Sequence, residues 1–134
     1  MVNAFLSNTA LPAIVAASRA ASPVGSPGML WLQVYIFRQR DVVARAVQQA
    51  RTLGFTAICV TVDHPTTRIT DLFVPRFAAS TELPDLQLPN LAPDWRPGQP
   101  LPVDHDDGLT WEDLQWLVSL SDLPVVVSVA RVYD

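Results

Sequence analysis

Apolar positions along the chain fall into two alternating kinds of run. Short β-rich runs occupy Val2–Leu6, Leu30–Phe37, Thr56–Val62 and Val125–Val129. The third and fourth carry almost no polar alternation, which is the signature of parallel strands buried on both faces. In Leu30–Phe37 the polar members Gln33 and Tyr35 lie two apart and so share one side of a sheet. Helical periods separate these runs. Ala10–Ala21 is alanine-rich, with Ser7, Asn8 and Thr9 on offer as an N-cap and Pro12 in the first turn. Val42, Val43, Ala46, Val47, Ala50 and Leu53 recur with helical spacing behind Arg40 and Asp41, and Gly54 follows as the expected C′ residue. Thr110, with Glu112 and Asp113 after it, reads as the start of a further helix whose apolar face holds Trp111, Leu114, Leu117 and Val118.

The resulting order, β-α-β-α-β-loop-α-β, predicts a parallel α/β layer. Two architectures satisfy it: a small open doubly wound sheet, or half of a (β/α)8 barrel, a fold that typically needs about 250 residues. A half barrel leaves two sheet edges unpaired. The rhythm breaks between Phe77 and Asp107, where half of the chain's twelve prolines fall between Pro84 and Pro102. Segment 77–107 is expected to be a flexible Pro-rich loop within one domain spanning 1–134.

Composition narrows the function. The chain has 134 residues, nearly half of them hydrophobic, which is enough for one real core. Thirteen acidic against nine basic side chains give a net charge of −4, and all nine basic residues are arginines, dispersed along the chain. A nucleic-acid surface is not expected from that balance. Cys59 is the only cysteine, so no internal disulfide forms, and its place in the apolar strand reads as a small buried hydrophobe. Ser7, Asn8 and Thr9 interrupt the N-terminal apolar run, which lacks a positive n-region, and no run reaches the ~18 residues of a membrane span. A cytoplasmic protein with no membrane partner is the expectation.

In either architecture, chemistry gathers at the C-terminal ends of the parallel strands. Those ends carry Ser7 and Asn8, Gln33 and Tyr35, Thr61 and Asp63, and Ser128. Each also has a plain structural use: Ser7 as a helix cap, Tyr35 as a packing residue, Asp63 as the first residue of an Asx turn. The acidic run Asp104 to Asp107 looks like a calcium loop at first, but Gly108 comes one place early and the closing Glu is missing, so a solvated turn is expected. Gly25 and Gly28 precede a strand rather than a helix, which excludes dinucleotide and P-loop motifs.

Four stretches together resemble one family. They are LQVYIFRQR at Leu32–Arg40, ARTLGFTAICVTVDHP at Ala50–Pro65, LTWEDLQWL at Leu109–Leu117 and LPVVV at Leu123–Val127. In order and spacing they are similar to the FMN-dependent 2-hydroxy-acid oxidoreductases, the glycolate oxidase and lactate dehydrogenase family. The resemblance implies an incomplete (β/α)8 TIM barrel, roughly its second to fifth β/α units, with FMN as cofactor and a small 2-hydroxy acid as substrate. By position, Ser7, Gln33 and Thr61 resemble flavin contacts. Tyr35 resembles the tyrosine that hydrogen-bonds the substrate, and Asp63 the aspartate that supports the catalytic histidine. Arg68 stands for the arginine that grips the substrate carboxylate, although Thr66 and Thr67 replace the Gly-containing pattern before it. Ser128 falls where the family has a lysine near the flavin, and a neutral residue there removes a cation from the reduced, anionic ring. The resemblance puts the catalytic histidine, a second arginine and the phosphate site outside these residues. The chain is therefore expected to be inactive by itself and active only if another chain completes the barrel; its open edges are where self-association or a complementing chain is expected. The alternative is a degenerate, non-catalytic paralogue or interaction module that keeps the half-barrel.

Overall fold

The computed structural model describes residues 1–23, 28–63, 87–97 and 99–129. They form β1 (Val2–Ala4), α1 (Leu11–Ala21), β2 (Trp31–Val34), α2 (Arg40–Leu53), β3 (Ala57–Thr61), α3 (Trp111–Ser119) and β4 (Val125–Ser128). All four strands are parallel and stand in the sheet in chain order, β1-β2-β3-β4. A doubly wound sheet reverses its strand order at a switch point. No reversal occurs here, so of the two expected architectures the arc of a barrel is the one the topology matches.

The alternation within β2 sorts the sheet into two faces. Leu32, Val34 and Ile36 are buried, whereas Trp31, Gln33 and Tyr35 are half-buried. Register carries the first set onto Ile58 and Val60 of β3 and the second onto Ala57 and Cys59. Val15 of α1 and Val43, Ala46, Val47 and Ala50 of α2 share one buried cluster with Leu32, Val34, Ile58 and Val60. Removing each of the valine, leucine and isoleucine side chains from water contributes roughly 1.5–3 kcal/mol. α2 ends as its sequence predicts: Gly54 takes φ 87°, and its N–H donates to the Ala50 and Arg51 carbonyls. A side chain there would be strained, which is why glycine stands at this turn.

Three expectations need correction. Ser7, Asn8 and Thr9 do not cap α1, whose N-cap is Ala10 without a side-chain bond. Instead the Asn90 carbonyl oxygen accepts the Leu11 N–H at 2.8 Å. The reason is that Ser7 and Asn8 are engaged elsewhere, Ser7 Oγ with the Thr9 N–H and Asn8 Oδ1 with the Gln87 N–H. Second, Val125–Val129 is not buried: Val127 is 45% and Val129 61% exposed. Among the described residues β4 pairs with β3 alone and stands at the border of the sheet. Third, only half of the expected apolar face of α3 turns inward. Leu117 is buried and Leu114 packs on the core, but Trp111 is 79% and Val118 53% exposed. They flank the same bare border.

Segment 77–107 is described from Gln87, apart from residue 98, and contains no regular helix or strand there. It is nonetheless anchored. Leu88, Leu91, Trp95 and Val103 are buried in the common core, and the Trp95 indole N–H donates to the Gln99 and Pro100 carbonyls. Asn90 Nδ2 donates to the Phe5 and Thr9 carbonyls. Further on, His105 forms an antiparallel bridge with Phe37. The segment thus crosses the C-terminal ends of β1 and β2.

Candidate active site at the strand ends

β2 and β3 bring together the residues from which a site can be built. Gln33 pairs in register with Cys59, and Thr61 lies two residues further along the same face. The Gln33 amide donates to the Thr61 hydroxyl, Nε2 to Oγ1, at 3.1 Å. Both residues are half-buried. Among the described residues that bond leaves the Gln33 carbonyl oxygen, its second amide hydrogen and the Thr61 hydroxyl hydrogen for a ligand. A row of donors and acceptors of this kind fits the edge of a heterocycle that alternates carbonyl and N–H groups, so the donor set is compatible with a flavin ring. Ser128 is the register partner of Thr61 across β4 and adds a second, neutral hydroxyl at the same level.

Tyr35 follows Gln33 on this side. Its ring meets the His105 ring edge-on at 5.2 Å between centroids and the Phe37 ring at 6.1 Å. Tyr35, Thr61, His105, Asp106 and Leu109 line a small cleft of about 20 Å³, room for about one water molecule. Asp63 lies two residues beyond Thr61 and is half-buried. Ser7 sits three residues past the end of β1, in a turn closed by its N–H on the Ala4 carbonyl at 3.1 Å. The residue of β1 level with Gln33 is Ala4. Structure therefore joins Gln33, Thr61, Tyr35 and Ser128 along one rim, whereas Ser7 serves a local turn. Arg68 lies outside the described residues.

The acidic turn after the Pro-rich stretch is more than a solvated loop. Arg40 at the start of α2 places Nη2 2.6 Å from both Asp106 Oδ2 and Asp113 Oδ1, and its Nη1 donates to the Phe37 carbonyl. The guanidinium lies 5.5 Å from the centre of the Trp116 ring. Gln39 exchanges two hydrogen bonds with Asp104, and Arg38 reaches Asp107 at 2.9 Å. Three consecutive polar residues of the β2–α2 turn thereby hold the segment carrying His105 against Tyr35. The Thr110 backbone N–H, then its hydroxyl and Arg40, keep the Asp113 carboxyl below its ordinary range, against the opposing effect of burial. Pattern reading missed this cluster. The available signal was the match between Arg38-Gln39-Arg40 and Asp104, Asp106 and Asp107, which no local periodicity exposes.

Comparison with known proteins bears on the fold and the family. The family model described as FMN-dependent dehydrogenase aligns with residues 1–129. The chain is 36% identical over 114 residues to a 2-hydroxyacid oxidase of Dictyostelium discoideum, covering 77% of this chain and 27% of that protein. It is 32% identical to glycolate oxidase of Spinacia oleracea, covering 75% and 30% respectively. Among solved structures, the flavin-binding domain of baker's yeast flavocytochrome b2 superposes with a TM-score of 0.60 at 23% identity, over 94% of this chain and 26% of that one. A mandelate oxidase superposes with a TM-score of 0.57 at 26% identity, over 94% and 31%. The chain thus spans less than a third of the length of these relatives. No described helix is long and apolar enough to cross a membrane. An alignment running from β1 through β4, on a parallel sheet of the same fold, places this chain in the FMN-dependent dehydrogenase family.

Proposed function

We propose that the chain forms the second to fifth β/α units of the (β/α)8 barrel of an oxidoreductase that converts (S)-2-hydroxy acids to 2-oxo acids. The observation that carries this reading is the Gln33–Thr61 bond, 3.1 Å long, on the rim that Tyr35 shares. When bound, FMN supplies the acceptor for the hydride that leaves the α-carbon of the substrate. Gln33 and Thr61 hold the edge of the ring with amide and hydroxyl groups, and Ser7 and Ser128 are the further contacts proposed from the resemblance. Tyr35 donates its phenolic hydrogen to the substrate, and Arg68 pairs with the substrate carboxylate. Asp63 orients a histidine base and stabilises its imidazolium once the hydroxyl proton has moved there. That histidine comes from the remainder of the barrel, so the 134 residues alone bind the ring edge without turning over substrate.

Titration of the purified chain with FMN tests this. A perturbed flavin absorbance that is lost in Gln33→Leu, with no bleaching on adding glycolate or lactate, is the expected result. Bleaching by the isolated chain overturns the inactivity. Failure to perturb the flavin at all favours the second reading, a degenerate half-barrel without catalysis, which the neutral Ser128 at the flavin-side position supports.

A further inference from the structure

Four consecutive residues of the acidic turn are each held by one of the residues Phe37 to Arg40. Phe37 forms an antiparallel bridge with His105. The Arg38 N–H donates to the Asp104 carbonyl at 2.9 Å, and its guanidinium reaches Asp107. Gln39 binds Asp104 at both side chain and backbone, and Arg40 binds Asp106 at 2.6 Å. A loop that only had to pass over β2 could be tethered at a single point. Holding every residue from Asp104 to Asp107 sets the register of His105 against Phe37, and with it the place of the imidazole. That place is against Tyr35, edge-on at 87° between the ring planes, with Phe37 as the third ring at 5.3 Å from His105.

Tyr35 stands one residue past the end of β2, beyond Val34, the last residue in register with β3. A half-buried aromatic at a strand end has more than one staggered rotamer within reach, and each points the phenol in a different direction. An edge-on contact between rings favours one of these arrangements over the others. On the other side, the cleft that Tyr35 and Thr61 both line admits about one water molecule, which leaves the ring little room to swing. Resting on the reading above, in which Tyr35 meets the substrate, we propose that His105 is a positioning residue for Tyr35. The imidazole holds the Tyr35 ring in one rotamer and so fixes the direction of its hydroxyl, and Arg40 acts at one remove, through Asp106. A 2-hydroxy acid then meets a donor that is already oriented, which reduces the side-chain freedom lost on binding. This part is mechanical and distinct from that of the histidine base, which belongs to the remainder of the barrel.

Proton NMR of the full chain tests the proposal. The sequence has two tyrosines, so Tyr133→Phe leaves Tyr35 alone to be observed. In that background, without FMN, the two Tyr35 Hα–Hβ couplings should be unequal, as a single rotamer requires, with cross-relaxation between the Tyr35 and His105 ring protons. His105→Ala should average the couplings to near equality, and His105→Phe should restore their inequality. Arg40→Met should average them with both rings still present, whereas Arg51→Met, on the same helix, should change nothing. A role in stability alone would lower the urea midpoint and leave the couplings of the folded state unequal in every variant. Averaged couplings before any change at position 105, or unequal couplings in folded His105→Ala, overturn the proposal. If His105→Ala does not fold, the unchanged ring pair and Arg40→Met decide in the same way. The flavin titration separates the two readings: averaged couplings in a chain that perturbs flavin absorbance sink the positioning alone, and unequal couplings in a chain that does not sink the flavin site alone.

Discussion

β3 and β4 are neighbours in one ladder, built from nearly the same residue types, and their surroundings could hardly differ more. Val60 and Val127 are register partners. Val60 is fully buried between β2 and the helical layer, whereas Val127 is close to half exposed. Apolar composition therefore specifies that a segment is a strand, and the neighbours on either side specify how deep it lies. The same holds for ion pairs. Arg40 is hemmed in by two carboxylates and the Trp116 ring, while Arg51 meets Asp122 in the open at 2.6 Å.

The sharpest way to break this contrast is the matched pair Val60→Ala and Val127→Ala. Urea unfolding should show a loss of about 2–3 kcal/mol for the first, from two buried carbons and the cavity they leave. The second should cost less than about 0.5 kcal/mol. Equal losses would mean that β4 is covered in solution. Next in size is Arg40→Met, expected to cost on the order of 2 kcal/mol, because it removes charge-assisted bonds and leaves Asp106 and Asp113 facing each other. Arg51→Met should leave the urea midpoint unchanged, as solvent screens an exposed pair. The smallest effect is one of pH. The Asp113 carboxyl is held below its ordinary 3.8, so its contribution is complete above that value and disappears as pH falls through the lower folded-state value. The stability gap between the unchanged chain and Asp113→Asn should therefore be full at neutral pH and narrow below about pH 4. A gap that stays constant down to pH 2.5 would deny the carboxylate its role.

How much of this was legible follows the range of the forces involved. β2, α2 and β3 are written in local periodicity, and Gly54 announces the end of α2 because its backbone needs φ above zero. The shared side of Gln33 and Tyr35 follows from alternation alone. That Thr61 lies beside Gln33 does not, since register between strands separated by 26 residues depends on the whole crossover. Topology put both at strand ends and the resemblance made both flavin contacts, but neither gave the bond between them. The bare face of α3 was unreadable for a different reason: Trp111 and Val118 repeat with the right spacing, but periodicity cannot report whether another element arrives to cover them. Long-range polar contacts were missed altogether, the Arg40 cluster across 66 and 73 residues being the clearest case.

Asn90 shows what such distance means in time. Its amide closes the first turn of α1 and ties down Phe5 and Thr9, contacts that span 79 to 85 positions of the chain. The ladder of α1 can form early, from local bonds alone. The Leu11 N–H at its start gains its partner only once segment 87–97 has docked, since so wide a loop must close before that contact exists. The ragged, proline-rich segment is thus the part of the chain that finishes the helix nearest the N-terminus, and the maturation of that helix reports when the rim above β1 has been assembled.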